Sequence, residues 1–123
     1  MGKYVITKTF YFESAHNLTS YHGKCEELHG HNYRLEISVT GKVNEEGMVI
    51  DFKELKSIVK KKIISVLDHK YLNNIFDFSP TSENILKWIY DNIKDDIDNN
   101  QRHVSKLAIY ETRNNKAELI IDN

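Results

Sequence analysis

HNYRLEISVT, residues 31–40, decides the fold class. His31, Tyr33, Leu35, Ile37 and Val39 fall on one side of an extended chain, and Asn32, Arg34, Glu36, Ser38 and Thr40 on the other. A period of two is that of a half-buried strand in an antiparallel sheet. Upstream, KYVITKTFYF (residues 3–12) is rich in β-branched and aromatic residues and also reads as a strand. Downstream, Gly41 and the stretch Asn44-Glu45-Glu46-Gly47 break the alternation as turn chemistry does.

From Asp51 the period changes. Phe52, Leu55, Ile58, Val59, Ile63, Val66 and Leu67 recur at helical spacing, with Asp51 placed as an N-cap. Lys60-Lys61-Lys62 reads as the solvated face of this amphipathic helix, not as a phosphate patch. A second helix follows Ser79-Pro80-Thr81-Ser82-Glu83, where Ser or Thr caps and an early acidic residue form a start signal. Its apolar stripe is Ile85, Trp88, Ile89 and Ile93. Past the polar stretch 95–101, VSKLAIYE and KAELIID flank Arg113-Asn114-Asn115 as a hairpin. The order β-β-α-α-β-β predicts an α+β fold, a four-stranded antiparallel sheet with two helices on one face, as one domain over residues 1–123.

Composition narrows the function. Of 123 residues, 40% are hydrophobic and 28% charged, ordinary for a globular chain that can bury one core. Seventeen basic against eighteen acidic residues leave a net charge of −1, without the basic excess of a nucleic-acid domain. A small anionic ligand held by local charges stays compatible with that balance. One cysteine excludes an internal disulfide and fits a reducing compartment or a functional thiol. The first residues, MGKYVITKTFYF, hold no apolar signal core, and the apolar runs are too short to span a bilayer. A cytoplasmic protein with no membrane partner is expected; the sequon at Asn17 carries no weight without a secretion signal.

Between the first two strands, Glu13 to Leu28 shows neither period, and loops of that length are functional or disordered. This one holds His16, His22 and Cys25. On an extended backbone His29 and His31 project to the same side, with Gly30 letting the chain bend between them. His16, leaving the neighbouring strand at the same end, supplies a third nitrogen. Three neutral imidazoles with no fourth protein ligand make a catalytic zinc site with one position open. Cys25 is either a fourth ligand, which would close that site, or a thiol whose proton a nearby cation loosens. Asp68-His69 is either an oriented imidazole or a helix end where a cationic His meets the dipole. Glu111 shares a side with Leu107 and Ile109, so its carboxylate is at the wet end of a strand or is a buried acceptor for a ligand's donors. His22 and His103 lack partners at suitable spacing and read as surface residues.

Phe12-Glu13-Ser14-Ala15-His16, Cys25-x-x-x-His29-Gly30-His31-Asn32-Tyr33, Leu67-Asp68-His69, Pro80-Thr81-Ser82-Glu83-Asn84 and Glu111 appear in order across nearly the whole chain. The combination resembles the 6-pyruvoyltetrahydropterin synthase superfamily, and within it the 6-carboxy-5,6,7,8-tetrahydropterin synthase branch of queuosine biosynthesis. The three-residue gap between Cys25 and His29 suits that branch. The resemblance implies the tunnelling fold (T-fold), whose sheets join across subunits into a barrel, in a homohexamer built as a dimer of trimers with sites between subunits. It implies His16, His29 and His31 as zinc ligands, Cys25 as the proton-abstracting base with Asp68 and His69 as its relay, and Glu111 as the pterin anchor, helped by the backbone near Thr81 and Ser82. The implied reaction converts 7,8-dihydroneopterin triphosphate to 6-carboxy-5,6,7,8-tetrahydropterin, acetaldehyde and triphosphate, with Zn2+ and no redox cofactor. Glu26 and Glu27, directly after Cys25, are a departure, because some relatives use a glutamate near this position to cleave the side chain to a hydroxymethyl pterin for folate. The same motifs are compatible with a pyruvoyl product, and with a non-catalytic protein that binds pterin or zinc.

Overall fold

The computed structural model describes residues 2–16 and 29–122, His29 by its backbone alone. Strand β1 (Tyr4–His16) and strand β2 (His29–Gly41) run antiparallel along their whole lengths, from Tyr4 opposite Gly41 to His16 opposite His29. Helix α1 (Phe52–Val59) leads through a π-helical turn (Lys60–Ile64) into α2 (Ser65–Leu67). Strand β3 (Lys70–Tyr71) and helices α3 (Leu72–Ile75) and α4 (Ser82–Ile97) follow, then the hairpin of β4 (Arg102–Thr112) and β5 (Asn115–Ile120). The sheet order is β3-β1-β2-β4-β5.

The alternation of β2 is realised over most of its length: Tyr33, Leu35, Ile37 and Val39 are buried while Asn32 and Arg34 are not, but Ser38, expected to face outward, is buried where the register against β4 shifts. Phe10 and Phe12 of β1 and Leu107 and Ile109 of β4 lie opposite or beside them. The helices close over this face with Leu55, Val59, Ile63 and Leu67 from one run and Ile85, Ile89 and Ile93 from α4, all fully buried. The first four recur every fourth residue. On an α-helix of 3.6 residues per turn such a row drifts about 40° per step. The wider π turn in the middle of the run offsets that drift and keeps Ile63 and Leu67 in the core. Lys60, Lys61 and Lys62 face solvent there, in line with the amphipathic pattern. Asp51 accepts from the Lys53 amide (2.8 Å) at the first helix start and Thr81 from the Asn84 amide (3.2 Å) at that of α4.

Three expectations need correction. The sheet has five strands and is mixed, because Lys70-Tyr71 pairs in parallel with Ser14 and Ala15. The helical layer is more broken than two helices, with α3 as an added turn. The segment from Glu13 to His16 belongs to β1: it pairs with residues 29–32, although its side chains carry no apolar alternation. Among the described residues, no helix is long and apolar enough to cross a membrane.

Candidate functional site

One end of the sheet gathers polar groups on the face that elsewhere is core. Ser14 and His16 leave β1 on the side of Phe10 and Phe12, and His31 leaves β2 on the side of Tyr33. Glu111 is the third contributor. The register of β4 against β5 shifts between Tyr110 and Thr112, and Glu111 keeps the inward side that Leu107 and Ile109 occupy. Its Oε1 lies 3.1 Å from His31 Nε2 and 3.7 Å from His16 Nε2. Its Oε2 accepts from the Ser82 hydroxyl (3.3 Å) in the first turn of α4. The carboxylate is one-third exposed, so both sequence readings hold in part: it stands at the wet end of the strand and is also an acceptor ringed by donors.

His16 is buried and His31 nearly so, with their rings 5.0 Å apart. His16, His31 and Glu111 each offer a ligand atom, all within 4.8 Å of one another. Two imidazoles and a carboxylate are donors that zinc accepts, so the chemistry of this set fits the metal expected from sequence. The membership differs from that expectation. His29 is opposite His16 in register, but its side chain lies outside the described residues, and Glu111 takes part. Tyr33 is a residue whose strand position alone suggests core. Its hydroxyl is 2.6 Å from His16 Nδ1, its ring stacks on Phe12 and stands edge-on to His31. Burial, and then the charge of Glu111, push its phenol above the ordinary tyrosine value, so it stays protonated. The signal was there, since Tyr33 follows His31 by one strand period.

Asp68 and His69 do meet, and they meet on β1. The α2 helix stops at Leu67, Asp68 turns extended, and His69 takes a positive φ of 58°. The Glu13 amide donates to Asp68 Oδ1 (2.9 Å), the His69 amide donates to the Glu13 carbonyl (2.6 Å), and His69 Nδ1 is 3.1 Å from Asp68 Oδ1. The Glu13 carboxylate stands 3.5 Å from His69 Nε2. The Glu13 amide, and then the charge of His69, hold the Asp68 carboxyl below the ordinary aspartate value. Glu13 is exposed, on the face of β1 opposite to buried Ser14 and His16. The His69 imidazole thus stands between two carboxylates, just past the helix end and on the outer side of β1. Two open clefts flank it. One, of about 380 Å³, is bordered by Tyr11, Glu13, Asn32, Asp68 and His69. The other, of about 470 Å³, wraps the end of β1 and is bordered by Ser14, Gly30, His31, His69 and Tyr71.

Cys25, His22, Glu26 and Glu27 lie outside the described residues. His103, read as a surface residue, is half-buried on β4 opposite Thr40. Thr81 caps α4 and Ser82 touches Glu111, so the helix start and the carboxylate form one unit.

The model of the 6-pyruvoyl tetrahydropterin synthase family matches residues 5–120. The 6-carboxy-5,6,7,8-tetrahydropterin synthase of Haemophilus influenzae is 33% identical over 87% of this chain and 92% of its own. The dihydroneopterin monophosphate aldolase of Pyrococcus furiosus is 40% identical over 70% of this chain and 72% of its own. In fold, the chain superposes on the Caenorhabditis elegans 6-pyruvoyl tetrahydropterin synthase with a TM-score of 0.84, covering 99% of this chain and 98% of that one at 24% identity.

Proposed function

Because the chain belongs to the 6-pyruvoyl tetrahydropterin synthase family, we propose that it converts 7,8-dihydroneopterin triphosphate to 6-carboxy-5,6,7,8-tetrahydropterin, acetaldehyde and triphosphate, as one cytoplasmic T-fold domain. Atoms balance with uptake of one water, so no oxidant or reductant is needed. The observation that carries the reading is the convergence of His16, His31 and Glu111 at one sheet end in a chain of this family. The likeness to the Haemophilus influenzae enzyme, over almost all of both chains, favours the carboxy product.

On this reading His16, His29 and His31 hold zinc. Bound there, the metal supplies Lewis acidity toward the substrate's side-chain hydroxyls and eases removal of the neighbouring proton. Cys25 Sγ takes that proton as a thiolate, and His69 Nε2, oriented by Asp68, returns one. Glu111 binds the guanidine-like edge of the pterin, since an ionised carboxylate accepts two parallel N–H bonds. Ser82 holds that carboxylate, and the start of α4 near Thr81 adds backbone donors. The protein works as a homohexamer in which Cys25 of one chain meets Asp68 and His69 of another. Support for two chains per site comes from β1, whose outer face carries the His69 pair and whose inner face carries His16. On the side away from β2, its edge from Tyr4 to Glu13 also pairs with no strand among the described residues.

Incubating zinc-loaded protein with dihydroneopterin triphosphate and weighing the pterin product tests this. The 6-carboxy mass and acetaldehyde are expected. A hydroxymethyl pterin would select the second reading, side-chain cleavage, which the Pyrococcus furiosus relative and the Glu26-Glu27 pair favour. A pyruvoyl pterin, or no turnover, would overturn both.

A further inference from the structure

Core packing accounts for the ring of Tyr33 but not for its hydroxyl, which the proposed chemistry does not use either. Tyr33 is 1% exposed, in a stretch of β2 where Leu35 and Ile37 fill equivalent inward positions with aliphatic side chains. A tyrosine in such a place needs a partner for its hydroxyl. That partner is His16 Nδ1 at 2.6 Å. The ring is itself immobilised. It stacks on Phe12, its cross-strand neighbour, at a centroid distance of 4.9 Å and 13° between planes. Its edge meets the His31 ring at 5.6 Å and 66°. One rigid phenol thus touches both histidines that the fold brings together.

The contact also divides the two nitrogens of His16. Nδ1 is turned inward to the phenol, while Nε2 is turned toward Glu111 and the donor atoms around it. An imidazole binds a cation through an unprotonated nitrogen, and the other nitrogen's hydrogen bond selects which one that is. A partner on Nδ1 that accepts its proton leaves the Nε2 lone pair facing the cluster. In the usual case that partner is a carboxylate or a carbonyl; here it is a neutral phenol.

We propose that Tyr33 is a positioning residue for the metal centre: it accepts a hydrogen bond from His16 Nδ1–H and thereby fixes the ring and tautomer that present Nε2 to a divalent cation. The proposal rests on the reading of His16 as a zinc ligand. It concerns affinity for the metal and not the pterin chemistry.

The test uses full-length protein stripped and titrated with zinc against a chromophoric chelator, with cobalt(II) as a spectroscopic stand-in. Tyr33→Phe keeps the ring and its stacking but lacks the oxygen. It should bind zinc about 10- to 100-fold more weakly than the parent, the usual loss when such an outer partner is removed. Its cobalt visible bands should shift, and thermal unfolding of the metal-free form should show a folded protein. Nitrogen-15 spectra of the zinc-loaded parent should report a protonated Nδ1 and a metal-shifted Nε2 at His16. Equal zinc affinity in Tyr33→Phe and the parent would overturn the proposal while leaving the metal centre standing. A parent that binds no zinc would remove both. Should Tyr33→Phe fail to fold, the parent's spectrum decides, and a bare or metal-bound Nδ1 at His16 refutes the assignment.

Discussion

Replacing Asp68 with alanine removes one carboxylate from two contacts at once. The Glu13 amide loses its acceptor at 2.9 Å, and His69 Nδ1 loses a neighbour at 3.1 Å. A hydrogen bond to a charged acceptor contributes about 1.5–3 kcal/mol when sheltered. The Asp68 side chain is 34% exposed, so water replaces part of that and screens the rest. A loss of about 1 kcal/mol remains, which lowers the melting temperature by about 3–6 °C for a domain of this size. Asp68→Asn keeps an oxygen for the Glu13 amide and should lose less. The sign with pH follows from the carboxyl's depressed folded value, caused first by the Glu13 amide and then by the charge of His69. A group lowered on folding stabilises fully above its unfolded value of about 3.9 and ceases to do so as pH falls through the folded one. Urea unfolding of the parent and Asp68→Asn between about pH 7 and pH 2 should therefore show a gap that closes in acid. An Asp68→Ala protein as stable as the parent at neutral pH, or a gap that stays open in acid, would refute the anchoring role.

The metal set gives a second expectation: His31→Ala should lose bound zinc by elemental analysis, while Cys25→Ala should retain it and lose turnover. Loss of zinc in Cys25→Ala would mark a closed, structural site. Glu111→Gln should weaken binding of a dihydropterin by about 2–3 kcal/mol in calorimetry, the lower part of the range for breaking a buried charged pair because the carboxylate is one-third exposed. Unchanged affinity would remove the anchor assignment. Mixing inactive Cys25→Ala and His69→Ala subunits under exchange should restore part of the activity, and no rescue despite proven exchange would place the whole site in one chain.

What the sequence disclosed depended on whether side chains or backbone carried the signal. The β2 alternation and the row Leu55, Val59, Ile63 and Leu67 were legible because one-sided burial writes itself into residue type. The start of α4 was legible through its Thr81 cap. Strand β3 was not, because two residues pairing through their backbone leave no pattern. The end of β1 was hidden for a related reason: Ser14 and His16 are buried polar groups, so the inward positions look like loop. His16, His31 and Glu111 were each found by type and spacing, but their junction at one end of the sheet depends on cross-strand register, which no local pattern announces. The spacing of Tyr33 from His31 put it on the same face, but residue type alone did not announce its contact with His16, since an aromatic at an inward strand position is ordinarily core.

The last consequence comes from the period of two itself. Along Glu13-Ser14-Ala15-His16, successive side chains leave β1 on opposite faces. Ser14 goes inward, donating to the Leu67 carbonyl, and His16 inward toward His31 and Glu111; Glu13 goes outward, beside His69. The Asp68-His69 pair and the histidine cluster are thus tied to the same few residues from opposite faces of β1. A rigid bicyclic ligand seated on Glu111 meets the inner face. For His69 to act on such a ligand directly, it must reach round the end of β1 or be supplied by another copy of the chain. The first route passes through the cleft bordered by Gly30, His31, His69 and Tyr71. The second uses two sheet edges, unpaired among the described residues, that carry exposed Tyr4, Val5 and Tyr11 on β1 and exposed Ile120 on β5. Apolar side chains on an open edge are a liability for a lone chain and an asset for a closed ring of chains. The second route therefore explains features that the first leaves idle, and it is why rescue between the two mutant subunits is the expected result.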